Sequence, residues 1–310
     1  MGGNCEEKDA VAKLSRREFL AGTAALGAGL AGLTPAIAEA AERREPAPDR
    51  MGVLVDTTVC IGCRNCEFAC KKAHDLPTPP QESYEDRSVF SRMRRPDDTA
   101  LTVVNRYDNP GHPDLPVTVK VQCMHCARPA CVSACIVGAL TKDEGGAVVW
   151  NTHRCIGCRY CMIACPFQIP AFEYHKALQP RIMKCDFCFA RRKAGKIPAC
   201  VEICPMEVMT FGPREELVGI ARDRLKRFPD RYVNQVYGEA EVGGTDWLYL
   251  AAVDFSALQF PRLGRSPAPG VSESIQHGVF AYFVPPVSLY ALLGAVMWVA
   301  KNSPEPEEEA

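Results

Sequence analysis

Of the 17 cysteines in this 310-residue chain, all but Cys5 fall into four tight quartets. The first is Cys60, Cys63, Cys66 and Cys70 in "CIGCRNCEFAC", and the second is Cys123, Cys126, Cys131 and Cys135 in "CMHCARPACVSAC". The third is Cys155, Cys158, Cys161 and Cys165 in "CIGCRYCMIACP", and the fourth is Cys185, Cys188, Cys200 and Cys204 in "CDFCFARRKAGKIPACVEICP". Thiols so close in sequence make poor disulfide frameworks, because each bridge would close a tiny loop and remove little entropy from the unfolded chain. Clustered thiolates are metal ligands.

Zinc is one candidate, since paired CxxC units build structural zinc sites. Such sites stop at four ligands, whereas the first and third quartets run on as CxxCxxC. The run CxxCxxCxxxCP has the ligand spacing of a cubane iron–sulfur site, in which three thiolates hold one cluster and the fourth reaches the other cluster of a pair. Covalent haem is excluded, because Arg64, Ala127, Arg159 and Phe189, not His, follow the CxxC pairs. No ligand position is replaced in any quartet, so the expectation is four [4Fe–4S] clusters. An oxidised cubane with four thiolates carries about two negative charges. Arg64, Arg154, Arg159, Lys184, Arg191, Arg192 and Lys193 lie beside ligands, where they either offset that charge or form an ordinary solvated face. The formal net charge of −1 and the lack of a long basic run give no support for a nucleic-acid partner.

Both ends of the chain read as addresses. Arg16 and Arg17 precede Phe19, Leu20 and a Gly/Ala-rich run ending near "AIA". Gly22, Gly27, Gly29 and Gly32 make a poor core helix, whereas the pattern fits a cleavable export signal of the twin-arginine kind over residues 1–40, ending at Ala38 or Ala40. Such a signal carries folded cargo, which suits clusters assembled in the cytoplasm. Near the other end, Gly278 to Ala300 contains no charged residue, and as a helix would span roughly 35 Å, enough to cross a bilayer core. A span over 277–300 is expected, kinked at Pro285 and Pro286, with the acidic tail 301–310 inside and the body on the periplasmic face of the inner membrane.

Short β-rich entries precede two quartets: "MGVLVDTTVC" and "GAVVWNTHRC". "GALTKDEGGAVVW" reads as two strands joined at Gly145–Gly146, "LTVVNRY" as a strand, and "EVMTFG" as the partner of "GVLVD". The first and fourth quartets therefore enclose the second and third, giving an α+β, nested double ferredoxin-like core over 50–228. Nesting implies shared ligands: Cys60, Cys63 and Cys66 with Cys204; Cys185, Cys188 and Cys200 with Cys70; Cys123, Cys126 and Cys131 with Cys165; Cys155, Cys158 and Cys161 with Cys135. "PREELVGIARDRLKRF" is an amphipathic helix, with Leu217, Ile220, Ala221 and Leu225 on one face. Residues 229–276 read as a connecting or docking segment.

With these motifs the chain resembles the four-cluster electron-transfer subunits of complex oxidoreductases. Its own export signal, "CRYCMIACPF", "FGPREEL", "YGEAEVGGTDWLYL", "ESIQH" and the terminal anchor make it most similar to the iron–sulfur subunit of hydrogenase-2-type, quinone-linked nickel–iron hydrogenases. The resemblance implies a periplasmic complex with the small and large nickel–iron subunits and an integral-membrane, quinone-reactive subunit. It also implies the same crossed ligation. Ile136 after Cys135 and Lys71 after Cys70 depart from the proline that often follows the fourth ligand. The alternatives are the equivalent subunit of a membrane-bound formate dehydrogenase or other molybdopterin enzyme and, more distantly, a zinc-stabilised scaffold. No catalytic constellation is visible. His125 reads as a histidine beside the cluster ligands or at the surface, and His277 as a polar cap at the membrane border.

Overall fold

The computed structural model describes residues 47–269 and 290–299. The expected export signal, the acidic tail and most of the 277–300 span lie outside these residues. In chain order the strands are β1 (Met51–Asp56), β2 (Val103–Tyr107), β3 (Val117–Val121), β4 (Leu140–Lys142), β5 (Val148–Trp150), β6 (Ala171–Phe172), β7 (Ile182–Met183), β8 (Met209–Pro213) and β9 (Trp247–Leu250). The α-helices that matter for the site are α1 (Asn65–Ala73), α2 (Ala130–Ser133), α3 (Tyr160–Ala164), α4 (Phe189–Lys193), α5 (Ala199–Glu202) and α6 (Arg214–Arg227).

β1 is buried from Gly52 to Asp56, as a strand with neighbours on both edges and packing on both faces must be. It lies in the middle of a sheet ordered β8-β1-β9. The expected pairing of "GVLVD" with "EVMTFG" is present, antiparallel, in a register from Met51 opposite Pro213 to Val55 opposite Met209. On its other edge β1 runs parallel to β9, Val53 opposite Trp247 and Asp56 opposite Leu250. The segment after residue 228 thus supplies a strand of the central sheet, and Trp247, Leu248, Tyr249 and Leu250 are at most 1% exposed. Its four side chains are all buried, so no polar–apolar alternation marks it in the sequence.

The expected strand at "LTVVNRY" is β2, antiparallel to β3. The expected hairpin is β4–β5, Leu140 opposite Trp150 and Lys142 opposite Val148. Its turn is closed by Gly146 N donating to the Asp143 carbonyl at 2.9 Å. Gly146 has φ +95°, and a Cβ there would lie 2.8 Å from Asp246 Oδ2 and 2.9 Å from the Met51 carbonyl, so only glycine fits this turn against β1.

α6 follows β8 and packs on the sheet through Leu217, Val218 and Ala221 against Leu54, Leu248 and Leu250, with Leu225 at the edge. Ile220, expected on that face, is 41% exposed, and Val218 takes its place. The helix turns its buried stripe one position towards Arg214, whose buried guanidinium donates to the Thr245 carbonyl at 2.7 Å. Glu215 and Glu216 in the first turn and Arg224, Lys226 and Arg227 in the last complement the helix dipole. Residues 290–299 are helical and largely exposed, and among the described residues no helix is long and apolar enough to cross a membrane.

Candidate functional site

The loops that carry the quartets share one backbone device. The residue before the second cysteine has positive φ in each: Gly62 (+66°), His125 (+48°), Gly157 (+69°) and Phe187 (+61°). In the first, third and fourth quartets a further left-handed residue caps the next helix: Arg64 (+65°), Arg159 (+60°) and Cys188 (+48°). Left-handed non-glycine residues cost of order 1–3 kcal/mol each and cluster where function over-determines the backbone. Successive turns of this kind curl the N–H groups into a concave nest suited to an anion. Gly62 is also held by space, since a Cβ there would lie 2.9 Å from Thr118 Cγ2.

A second device carries the remaining ligands inward. Pro129 and Pro198 cap α2 and α5 in matching "PAC" segments, so Cys131 and Cys200 occupy equivalent places one residue into a short helix. α5 packs on α1, which bears Cys66 and Cys70, and α2 packs on α3, which bears Cys161. The two halves of the core are thus built alike, each from two short helices facing each other.

These elements gather the thiols into four groups. Cys60, Cys63, Cys66 and Cys204 wall one cleft, together with Lys120, Val104 and Met209. Burial pushes the Cys70 thiol well up, and among its neighbours Cys185, Cys200 and Cys188 add to the effect. Burial likewise raises Cys126, with Cys123, Cys165 and Cys131 as its electrostatic neighbours. Burial and then Cys155, Cys158 and Cys135 push Cys161 up to about 11. In each case three cysteines of one quartet meet the fourth of its companion. Among the described residues all sixteen quartet cysteines are free thiols, and Cys158 alone among them is exposed.

The donor set fits iron–sulfur cubanes. The thiols come in fours, seven of the sixteen buried, eight half-buried and one exposed, and buried lysines stand among them. Lys184 is 6% exposed and donates to the carbonyls of Val148 and Cys185. Lys120 is 3% exposed. Arg64, by contrast, is no free counter-charge: its guanidinium is tied to Glu67 at 3.2 Å and to the carbonyls of Tyr84 and Asp86.

Two histidines stand beside the thiols without joining a group of four. His125 is wholly buried, not at the surface; its Nδ1 accepts from Val148 N at 2.9 Å and its ring stacks on Phe187 at 4.9 Å. Burial, then the nearby Lys184 and Lys142, hold it neutral, well below the ordinary histidine value. His74 Nε2 meets Asp186 Oδ1 at 2.7 Å while its Nδ1 lies 2.8 Å from the Cys70 carbonyl. Burial alone would lower His74, but the Asp186 bond and charge outweigh it and leave the ring above its usual value. His74, Asp186 and Cys188 bring ligand atoms within 4.8 Å of one another. Asp186 also accepts from Cys188 N at 2.8 Å, so the trio braces the Cys70 and Cys188 thiols. Sequence reasoning missed this brace and also Lys120 and Asp246, because the groups they act on are brought together only by the fold.

Geometry and donor chemistry define a multi-cluster iron–sulfur protein, and the comparisons agree. A family model described as a 4Fe-4S dicluster domain matches residues 117–214. A protein of Nitratidesulfovibrio vulgaris (strain Hildenborough) is 49% identical over 249 residues, covering 78% of this chain and 67% of that protein. The hydrogenase-2 operon protein HybA of Escherichia coli O157:H7 is 34% identical over 323 residues, covering 94% of this chain and 96% of its own length. The B subunit of the anaerobic dimethyl sulfoxide reductase of Haemophilus influenzae is 35% identical over 170 residues, covering 54% of this chain and 77% of that subunit. The chain belongs to the family of the hydrogenase-2 operon protein HybA. It is an electron-transfer subunit of an oxidoreductase complex, carries four [4Fe–4S] clusters and is not itself the catalyst.

Proposed function

We propose that the chain relays electrons between a periplasmic nickel–iron hydrogenase dimer and a quinone-reactive membrane subunit, with one cubane in each of the four thiol groups. The observation that carries this reading is the order of the groups. The Cys66 thiol feels Cys200 of the next group, Cys185 of that group feels Cys123 of the third, and Cys131 of the third feels Cys161 of the fourth. The groups therefore stand in an unbroken row. One end opens at the cleft of Cys60 and Cys204, and the other ends at the exposed Cys158. A row with both ends accessible passes electrons through a protein between two partners.

In this reading residues 1–40 are the twin-arginine signal, 50–228 the cluster domain, 229–276 the segment that leads to the anchor while completing the sheet, 277–300 the membrane anchor and 301–310 the inner tail. The body then lies on the periplasmic face of the inner membrane. The hydrogenase reading is preferred to a molybdopterin partner because HybA aligns with 94% of the chain and the dimethyl sulfoxide reductase subunit with 54%. The cubane supplies a one-electron carrier. The chain's own residues place the thiols, exclude water and hold buried positive charge beside them. Deleting the chain from its host should abolish hydrogen-dependent quinone reduction by membranes while hydrogen-dependent reduction of a soluble viologen dye persists. Loss of formate-dependent quinone reduction instead would move the assignment to a molybdopterin partner.

A further inference from the structure

β3 places one lysine where no surface charge belongs. Thr118 and Lys120 share a face of the strand, and Thr118 Oγ1 donates to the Cys60 carbonyl at 2.6 Å, which fixes that face against the first quartet. Lys120 lines the cleft of Cys60, Cys63, Cys66 and Cys204 and also acts on the thiols of Cys200, Cys185 and Cys70 in the adjoining group. It stands between two groups of four thiols. Its ammonium donates to Gln122 Oε1 at 2.8 Å and lies 4.3 Å from the centroid of the Trp247 ring. Gln122 in turn donates to the Tyr249 hydroxyl at 2.6 Å, and that hydroxyl donates to the Lys120 carbonyl at 2.9 Å. Every partner is buried, and among the described residues no carboxylate is paired with this ammonium.

A buried ammonium without an anion is strongly disfavoured. Neither the amide of Gln122 nor the indole of Trp247 carries a compensating charge. The negative charge must come from what the thiols hold.

We propose that Lys120 is a fixed cation shared by the two clusters on either side of it, the one at Cys60, Cys63, Cys66 and Cys204 and the one at Cys70, Cys185, Cys188 and Cys200, and that it raises the reduction potential of both. The inference rests on the assignment of cubanes to these thiol groups. An electron entering either cluster adds one negative charge beside the ammonium, so the reduced form gains more from it than the oxidised form. Away from water this attraction is little screened. Because Gln122, Trp247 and the strand itself hold the ammonium, it cannot swing away as a surface lysine does. Lys120 is thus a positioning residue for electrons: it favours their residence in one half of the row over the exposed cluster at Cys158.

The test is an anaerobic potentiometric titration followed by EPR on the purified complex carrying Lys120→Met, with iron analysis and Lys120→Arg in parallel. Lys120→Met should lower the reduction equilibrium constant of the two flanking clusters about tenfold, which is about 59 mV for a one-electron couple. The cluster at Cys155, Cys158, Cys161 and Cys135 should stay within about twofold of its original value, and Lys120→Arg should restore the flanking pair. Loss of iron from the two flanking sites in Lys120→Met, but not in Lys120→Arg, would equally support the counter-charge role. Full iron content with unmoved potentials would overturn the proposal, as would an equal shift of all four clusters or an arginine variant as low as the methionine one. A native protein without four cubane signals would remove the cluster assignment itself, a failure distinct from an unmoved potential.

Discussion

Cys204 shares a cleft with Cys60, although Cys60 opens the first quartet and Cys204 closes the fourth. The link is topological. β8 begins just after Cys204 and returns antiparallel to β1, which ends just before Cys60, so sheet pairing brings the two thiols together. Cys204→Ser should therefore damage the cluster at Cys60, Cys63 and Cys66 and spare the one at Cys185, Cys188 and Cys200. EPR of the reduced variant reads the difference. Loss of only the signal local to Cys185 would refute the crossed arrangement.

The same topology predicts where the nested halves are fastened. Asp246 is wholly buried and takes Arg50 at 2.8 Å on one oxygen and Lys142 at 2.5 Å on the other. Arg50 precedes β1 of the enclosing half and Lys142 belongs to the β4–β5 hairpin of the enclosed half. Removing one partner of a buried ion pair leaves an uncompensated charge and costs about 3–5 kcal/mol. Asp246→Asn should lower the denaturant midpoint by a corresponding amount, followed by the loss of cluster absorbance. A midpoint unchanged within error would mean that water reaches the two cations.

The β1–β8 pairing and the β4–β5 turn were legible because β-rich segments flank the first and last quartets and Gly145–Gly146 marks the turn. Trp247–Leu250 was not, since a strand buried on every side loses the alternation that marks a strand, and its partner β1 lies nearly the whole core away in sequence. Lys120 was hidden for a related reason. Residues 117–121 are not read as a strand from the sequence, and only the tertiary fold turns Thr118 and Lys120 inward onto the thiols. Val218 displaced Ile220 because the helix rotates to bury Arg214, a constraint set by the Thr245 carbonyl and absent from the periodicity.

Cluster assembly should depend on pH in a defined direction. Burial raises the thiols of Cys126 and Cys185 well above the ordinary value and those of Cys161 and Cys188 to about 11. These groups are protonated in the folded apoprotein at neutral pH, and their contribution to its stability fades as pH rises from the ordinary thiol value towards 11. Ligation requires thiolates, so each such ligand releases one proton and the apparent affinity rises about tenfold per pH unit per proton. Reconstitution with iron and sulfide should thus be more complete at about pH 8.5 than at about pH 6.5, with proton release measurable in weakly buffered solution. A flat profile without proton release would show that the thiols are already ionised.

If residues 277–300 anchor the chain as proposed, truncation before Gly278 should separate the redox core from its place in the membrane. All sixteen quartet cysteines lie between Cys60 and Cys204. The packing around them is completed by Tyr237, Trp247, Tyr249, Phe255 and Leu258, all before the truncation point. The shortened protein should accordingly fold and keep about sixteen irons, four to each cubane. What it loses is an apolar run long enough to span a bilayer core, and, on the proposed function, the fixed distance between the last cluster and the quinone-reactive partner. Electron transfer falls steeply with distance, so hydrogen-dependent quinone reduction by membranes should drop far more than hydrogen-dependent reduction of a soluble dye. Equal loss of both activities would make the anchor a requirement for assembling the complex. If neither activity fell, docking by the folded body would be sufficient, and residues 277–300 would have no part in placing the clusters.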